Sequence, residues 1–153
     1  MRHLVFGFLS AILLLSGCDS MPDGMRQRVA PQPQVRVYEA DSHIVFDAAV
    51  RGAKQLGLKV TRSGAAQGIV RAISEIQPAN ARGEARQYSL EAKLQPLESG
   101  RTEVAVIVRE QQESSSFAGA TDIPLRQHGL YDSYFAAIAA SLASTASPGG
   151  AAK

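Results

Sequence analysis

The chain is poor in the residues that build covalent or metal-centred sites. It has one cysteine, Cys18, three histidines and no tryptophan among its 153 residues. A single cysteine excludes an intramolecular disulfide and a cysteine-rich metal site. The formal charge of +2 is small and the Lys and Arg residues are scattered, so neither argues for nucleic acid as a partner. The one cysteine must therefore serve another purpose.

The first residues combine a positive charge with a short apolar run. Arg2 precedes a near-continuous apolar stretch, 4–15, which has the length of a signal-peptide core and is too short for a comfortable membrane span. The stretch ends in "LSGC", residues 15–18: an aliphatic residue, two small residues and a cysteine. This box resembles the bacterial lipoprotein signal.

The resemblance to a lipoprotein signal implies a role for each residue of the box. Leu15, Ser16 and Gly17 would be recognised by the signal peptidase, and Cys18 would carry a diacylglyceryl group through a thioether bond. Acyl chains such as palmitate anchor a protein because each buried CH₂ contributes about 0.8 kcal/mol. A catalytic thiol would need an activating base, and a core cysteine would need a folded helix around it. The polar residues after Cys18 offer neither.

The residues after the box predict a location in the cell envelope but do not decide between the inner and the outer membrane. Asp19 favours the inner membrane by resemblance to enterobacterial sorting, and Ser20 reinforces that signal little. We expect a lipid-anchored protein of the bacterial cell envelope that faces the periplasm, on either membrane. The stretch 20–34 contains three prolines, one glycine and no apolar periodicity, which is typical of a linker.

Composition and patterning divide the precursor into four parts. We predict a signal peptide at 1–17, a lipidated N-terminus and flexible linker at 18–34, one α+β domain at 35–144 and a disordered tail at 145–153. Hydrophobic residues make up 45% of the chain, which is enough for one ordinary core.

Two amphipathic helices frame a series of short alternating segments. The first helix is expected over 43–56, with a cap at Asp41 or Ser42 and Gly57 as the residue that ends it. Its apolar stripe comprises Phe46, Ala49, Val50, Ala53 and Leu56. The second has helical character from Leu125 to Ala143 and is firm from Leu130. Strands are expected at 35–40, 58–61, 69–76, 87–94 and 102–110, with 111–124 irregular.

This order predicts the fold class. An α+β fold is expected, with an antiparallel four- to five-stranded meander sheet and two helices packed on one face, a helix-grip-like layout. A ferredoxin-like order would need a helix between the middle strands, and the loop 77–85 is too short and contains glycine.

The domain also resembles a family of small bacterial lipoproteins whose activity is unknown. The resemblance rests on "YEADSHIVFDAAVRGAKQLGLKV" (38–60), "SGRTEVAVIV" (99–108) and the terminal helix, so it covers most of 38–142. Similar helix-grip layouts occur in the repeated domains of the BamC-type lipoprotein subunit of the β-barrel assembly machine. These are packing motifs, and the resemblance implies no catalytic residue and no cofactor.

The remaining chemistry-bearing residues give weak signals. A metal site would need His43 and His128 together with a carboxylate such as Asp41 or Asp132. The run 113–116, "ESSS", supplies hydroxyls without a nucleophile elbow, and Glu110 and Glu113 straddle a strand end. We therefore predict no catalytic residue, no metal and no cofactor.

Two classes of function remain. The first is a non-catalytic binding, scaffold or accessory module, with the lipid bilayer as partner through acylated Cys18 and an envelope protein as a further partner. Its expected contact surface is the helix–sheet groove or the loop Gln111–Ile123. The alternative is an envelope enzyme, a hydrolase, which would need His43 or His128 to meet a carboxylate or the serine run.

Overall fold

The computed structural model describes residues 31–78, 84–114 and 120–146. These residues form one antiparallel sheet and two α-helices, which confirms the predicted α+β class. The sheet has six strands where four to five were predicted. The strands are β1 (Gln34–Tyr38), β2 (Lys59–Gly64), β3 (Ile69–Ile73), β4 (Glu84–Leu97), β5 (Arg101–Ser114) and β6 (Ala120–Leu125). The helices are α1 (Ser42–Gln55) and α2 (Gly129–Ala146).

The sheet is a meander with one returning strand. Strands β2 to β6 pair in chain order, and β1 pairs with β5 at the far side of the sheet from β2. Strand β5 changes partner along its length: residues Thr102–Val106 pair with β1, and residues Val108–Glu113 pair with β6. Helix α1 carries the chain from β1 across the sheet to the opposite edge at β2.

The turn between β2 and β3 depends on Gly68. Its φ angle of +62° lies in the left-handed region, and a Cβ there would overlap the carbonyl oxygen of Leu94. The Leu94 N–H donates a hydrogen bond to the Gly68 oxygen at 2.7 Å, which brings the turn against β4. The turn between β4 and β5 is a single 3₁₀ turn over Glu98–Gly100.

Helix α1 forms close to its predicted bounds. Asp41 is the N-cap residue, although its side chain makes no capping hydrogen bond. Gly57 follows the helix with a φ angle of +72°, as expected of the residue that ends it. Of the predicted stripe, Phe46, Ala49 and Ala53 are buried, and Val50 and Leu56 are partly buried against the core.

One sheet face, which we call the inner face, packs against both helices. Side chains alternate along each strand, so residues at every second position share a face. The buried inner-face residues are Val70 and Ala72 of β3, Leu90, Ala92 and Leu94 of β4, and Thr102, Val104, Val106 and Val108 of β5. Helix α2 covers them with Tyr131, Tyr134, Phe135 and Ile138, all buried. The other face, the outer face, carries no helix among the described residues.

The two valines of strand β1 face away from the core, although their hydrophobicity alone would place them in it. Val35 and Val37 point to the outer face and are 47% and 46% exposed. Arg36 and Tyr38 point to the helices, where the Arg36 guanidinium lies 4.6 Å from the centre of the Phe135 ring and 3.2 Å from Asp132 Oδ1. The aliphatic stem of the arginine can cover the aromatic ring while its charge reaches solvent.

The prediction of an irregular segment at 111–124 is wrong for its described residues, 111–114 and 120–124. Strand β5 continues to Ser114, and β6 pairs with it over residues 120–125. Leu125 therefore belongs to β6, and α2 begins at Gly129 rather than at Leu125. The end of β5 shows no apolar alternation, and β6 has one alternating apolar pair, Ile123 and Leu125, which is too short a pattern to predict a strand. Backbone pairing joins β5 to β6, and the ion pair between Arg109 and Asp122 adds a side-chain contact.

Several predictions fall outside the described residues. The box Leu15, Ser16, Gly17 and Cys18, most of the linker and residues 147–153 belong to this group. Thr145 and Ala146, which the sequence places in the tail, lie in the last turn of α2. Across the described ranges, neither helix is long and apolar enough to cross a membrane.

Candidate functional site

The helix–sheet groove, the first predicted contact surface, is filled by the protein itself. Tyr131, Tyr134, Phe135 and Ile138 of α2 are each at most 1% exposed. Gly52 of α1 allows the helices to approach, since a Cβ there would lie 3.3 Å from the Cβ of Ala137. The groove is consequently a packed core, and an apolar ligand could enter it only by displacing aromatic side chains.

Three tyrosine hydroxyls fasten α2 to the elements around it. Tyr38 donates to the Phe135 oxygen at 3.1 Å, and Tyr134 donates to the Ala49 oxygen at 3.1 Å. Tyr131 donates to the Leu125 oxygen at 2.8 Å and accepts the Val108 N–H at 3.0 Å. Tyr131 thus holds the point where β5 exchanges β1 for β6 as its partner.

Burial favours the protonated form of two of these hydroxyls, the form that donates a hydrogen bond. Burial raises the pKa of Tyr134, and the nearby Tyr38 hydroxyl raises it further. Burial also raises the pKa of Tyr38, against a smaller opposing effect of Arg36. Both side chains therefore stay protonated and keep donating their hydrogen bonds, which is a structural role.

The second predicted contact surface contains a small pocket. Gln111–Ile123 was expected to be a loop, but its described residues lie in β5 and β6. At the free end of the β4–β5–β6 meander a cavity of about 250 Å³ opens, which we call the terminal pocket. It is lined by Ile76, Ala85, Arg86, Gln87, Gln111, Glu113, Thr121 and Asp122. Small-molecule sites usually measure about 300–1,000 Å³, so this pocket suits one partner side chain better than a cofactor.

Ion pairs surround the terminal pocket. The Arg86 guanidinium lies 3.4 Å from Glu110 Oε1 and 3.8 Å from Glu84 Oε2. Arg109 and Asp122 approach to 3.6 Å. Ile76 at the pocket mouth is 65% exposed, and Ile123 on β6 is 50% exposed. The site therefore combines exposed aliphatic side chains with fixed charges, which is the chemistry of a protein-contact surface.

The two histidines do not come together. His43 lies at the start of α1 in a cavity shared with Leu94–Pro96 at one end of β4. The His128 ring lies 4.8 Å from the ring of Tyr88, near the other end of that strand. A strand rises about 3.3 Å per residue, so the two neighbourhoods are about 20 Å apart.

Two of the remaining candidate residues, His128 and Asp132, have a local structural partner. His128 precedes α2, and its Nδ1 accepts the Leu130 N–H at 3.2 Å, which is a helix cap. Asp132 pairs with Arg36. Asp41 caps α1 by position, and the described residues contain no group of three His, Cys, Asp or Glu side chains that could hold a metal ion.

The two carboxylates near the end of β5 are also separated. Glu110 and Glu113 are three residues apart on one strand and so point to opposite faces. Ser114 ends β5, and the next serines lie outside the described residues. The catalytic arrangement that the hydrolase alternative required is not formed by His43, His128 and these carboxylates.

Sequence reasoning missed two features of this region. The terminal pocket was hidden because β6 was not recognised, although Pro124 is typical of an edge strand and Ala120–Leu125 contains β-branched residues. The inward position of Arg36 was hidden because its valine neighbours suggested the opposite orientation. Tyr38 lies two residues after Arg36 and so shares its face of β1, and this aromatic residue was the signal in the sequence for the inward face.

Comparisons with known proteins add little about function. No family model matches the sequence, and no curated protein matches it. Among solved structures, the chain is similar to one in the crystal structure of the adenylate sensor from AMP-activated protein kinase in complex with 5-aminoimidazole-4-carboxamide 1-beta-D-ribofuranotide. That match covers 71% of this chain and 94% of the other, with 17% identity and a TM-score of 0.43. A likeness at this level supports no statement about ligands.

Proposed function

We propose that this protein is a bacterial envelope lipoprotein whose acylated Cys18 tethers a non-catalytic binding or scaffold domain on the periplasmic side of a membrane. The observation that carries the proposal is the order of three features. A short apolar run ends in the box Leu15–Cys18, a proline-containing linker follows, and the folded unit begins at Pro31. The resemblance of 38–142 to small bacterial lipoproteins supports the same assignment.

The geometry of the domain favours surface contacts over ligand transport. Tyr131, Tyr134 and Phe135 fill the space between α2 and the inner face, so an apolar cargo could not enter there without displacing them. The terminal pocket is open and has the size of one side chain. A partner in the envelope would insert a side chain there and pair with the exposed strand end of β6.

The anchor is tested with Cys18→Ser. The thioether needs the cysteine sulfur, so the variant should lose incorporation of a labelled fatty acid and leave the membrane fraction. Ser20→Ala, two residues away, is the matched control and should behave like the unaltered chain. Fatty-acid labelling and membrane fractionation of Cys18→Ser that match those of the unaltered chain would refute the anchor.

The contact surface is tested with a photo-crosslinking amino acid. Placed at Thr121 in the terminal pocket, it should form covalent adducts with an envelope protein in intact cells. Placed at Asp47, an exposed position on α1, it should form none. Equal adducts from both positions, or adducts from Asp47 alone, would show that the terminal pocket is not the contact surface.

A further inference from the structure

The outer face of the sheet carries a concentration of positive charge that the rest of the domain lacks. Strand alternation and register place six basic residues on the part of this face that backs the helices. They are Lys59, Arg62, Arg71, Lys93, Arg101 and Arg109. Two acidic residues, Glu91 and Glu103, lie within that area, and a third, Asp122, lies at its margin beside Arg109. We call this area the basic patch.

Much of the charge in the basic patch is not used to hold the fold together. Arg71 pairs with Glu91 at 2.7 Å, and Arg109 pairs with Asp122 at the margin of the patch at 3.6 Å. Within 31–78, 84–114 and 120–146, the ion pairs that form do not involve Lys59, Arg62 or Lys93. All three of these residues are exposed, so their charges are available to a partner.

Aliphatic side chains are interleaved with these charges. Val35 and Val37 of β1 are about half exposed on the outer face, next to Ala105 and Glu103 of β5. Ile69, Ile73 and Ile107 are half-buried on the same face. Cations beside accessible aliphatic groups form the kind of surface that binds the headgroup region of an anionic bilayer.

A lipid anchor at Cys18 would keep the domain, and with it the basic patch, close to a bilayer. The chain enters the folded unit through β1, the strand that carries Val35 and Val37. Only residues 19–30 separate Cys18 from Pro31, and a fully extended stretch of that length covers about 40 Å. An acyl anchor at Cys18 would therefore hold the basic patch at a high local concentration near lipid headgroups, where even weak contacts become populated.

We propose that the outer face of the sheet docks on the anionic bilayer in which Cys18 is anchored. Lipid phosphates contact Lys59, Arg62 and Lys93, and the two β1 valines enter the headgroup region. Glu113 and Asp122, near the terminal pocket, are repelled by the same phosphates, which tilts that end away from the surface and leaves the pocket accessible. The inference rests on the proposed lipid anchor, but it makes a separate prediction for the unacylated domain.

The test uses the mature chain from residue 18 with Cys18→Ser, so that no acyl group contributes. This chain should co-sediment with vesicles of phosphatidylethanolamine and phosphatidylglycerol, and not with phosphatidylcholine vesicles. Lys93→Glu should weaken the binding about tenfold or more, because each basic residue near an anionic surface contributes about 1 kcal/mol. Added salt should weaken the binding of the unaltered face in the same way.

The matched control is Lys54→Glu, which makes the same charge change on α1, on the other side of the sheet. It should alter vesicle binding by less than about threefold, since distant charges are screened. A urea titration of each variant confirms that it is folded. Absent binding to anionic vesicles, or equal losses for Lys93→Glu and Lys54→Glu, would overturn the proposal.

Two further outcomes separate bilayer docking from self-association and from anchoring by Cys18 alone. If the soluble chain forms a dimer that Lys93→Glu dissolves, a second copy covers this face and the bilayer proposal is wrong. If Cys18 is not acylated in cells but the vesicle result holds, the anchor fails and the docking surface survives. In the acylated protein, Lys93→Glu should remain in the membrane fraction, because the acyl chains alone retain it.

Discussion

The two faces of the sheet are built from the same strands and have opposite properties. On the inner face, Val104, Val106 and Val108 lie under the aromatic residues of α2 and are fully buried. On the outer face, the alternate residues of the same strand are Glu103, Ala105, Ile107 and Arg109, all in partial contact with solvent. The period of two along a strand makes this separation possible within one short sequence.

The difference predicts that folding stability depends mainly on the inner face and that the outer face is free to make contacts. Burial of apolar area and close packing dominate folding energy, so substitutions on the inner face should be costly. Exposed charges contribute little to folding, so the outer face can carry a net charge chosen for a partner. The predictions below test this division in order of decreasing effect on the free energy of unfolding.

Truncating Phe135, the α2 aromatic residue that packs on the inner face, should reduce the free energy of unfolding most. Phe135→Ala leaves a cavity among Tyr38, Arg36 and the β-sheet valines, and buried aromatic truncations cost about 3–5 kcal/mol. Chemical denaturation measures the loss. Ser133→Ala, on the exposed side of the same helix, should change stability by less than about 0.5 kcal/mol. Equal effects of the two substitutions would mean that the faces of α2 are wrongly assigned.

Removing the Tyr131 hydroxyl of α2 should reduce the free energy of unfolding less than removing an aromatic ring. Tyr131→Phe leaves the Leu125 oxygen and the Val108 N–H without their partner, and an unsatisfied buried group costs about 1–3 kcal/mol. Hydrogen exchange should rise at the junction of β5 with β1 and β6 and stay unchanged in β2. Uniform exchange across the sheet would contradict a local role for Tyr131.

The turn that abuts β4 should be sensitive to a single methyl group. Gly68→Ala forces a residue with a side chain into a left-handed conformation, at a cost of about 1–2 kcal/mol, and meets the Leu94 oxygen. Gly129→Ala is the matched control, since a Cβ there meets nothing within 4 Å. Its thermal midpoint should stay the same or rise. A larger loss for Gly129→Ala than for Gly68→Ala would disprove the turn geometry.

Charges of the outer face should matter least to folding. The Arg71–Glu91 pair is nearly half exposed on both sides, so Glu91→Gln should cost no more than about 1 kcal/mol. Lys93→Glu should stay within about 0.5 kcal/mol of the unaltered chain in a urea titration. A loss of several kcal/mol from Lys93→Glu would show that the outer face is a folding surface, and the division between faces would fail.

Local pattern was sufficient where one face is buried along a whole element. The spacing of Phe46, Ala49 and Ala53 predicted α1, and Gly57 marked its end correctly. The alternation of Leu90, Ala92 and Leu94 predicted β4 and its buried side. In these segments the side chains that contact the core recur at the period of the backbone, so sequence periodicity and structure carry the same information.

Local pattern failed where backbone pairing or a single neighbour decides the conformation. The end of β5 is polar, and β6 offers a single alternating apolar pair, Ile123 and Leu125, so the sequence pattern is too short to reveal the pairing of these two strands. Arg36 points inward because the Phe135 ring and Asp132 lie there, and those partners are about a hundred positions away in the chain. The terminal pocket and the basic patch likewise combine residues from strands that are distant in sequence.

The sequence by itself determined the two-helix α+β class and its meander, because turn residues and hydrophobic period act over a few neighbouring positions. The expected anchor at Cys18 also rests on the sequence alone. A signal peptidase would recognise residues 15–18 by their sequence, without any contact from the folded domain. Only the tertiary structure decided which surfaces remain open. Strand register places Lys59, Arg62 and Lys93 together on the outer face, and the aromatic residues of α2 cover the inner face. Both results depend on contacts between separate segments of the chain.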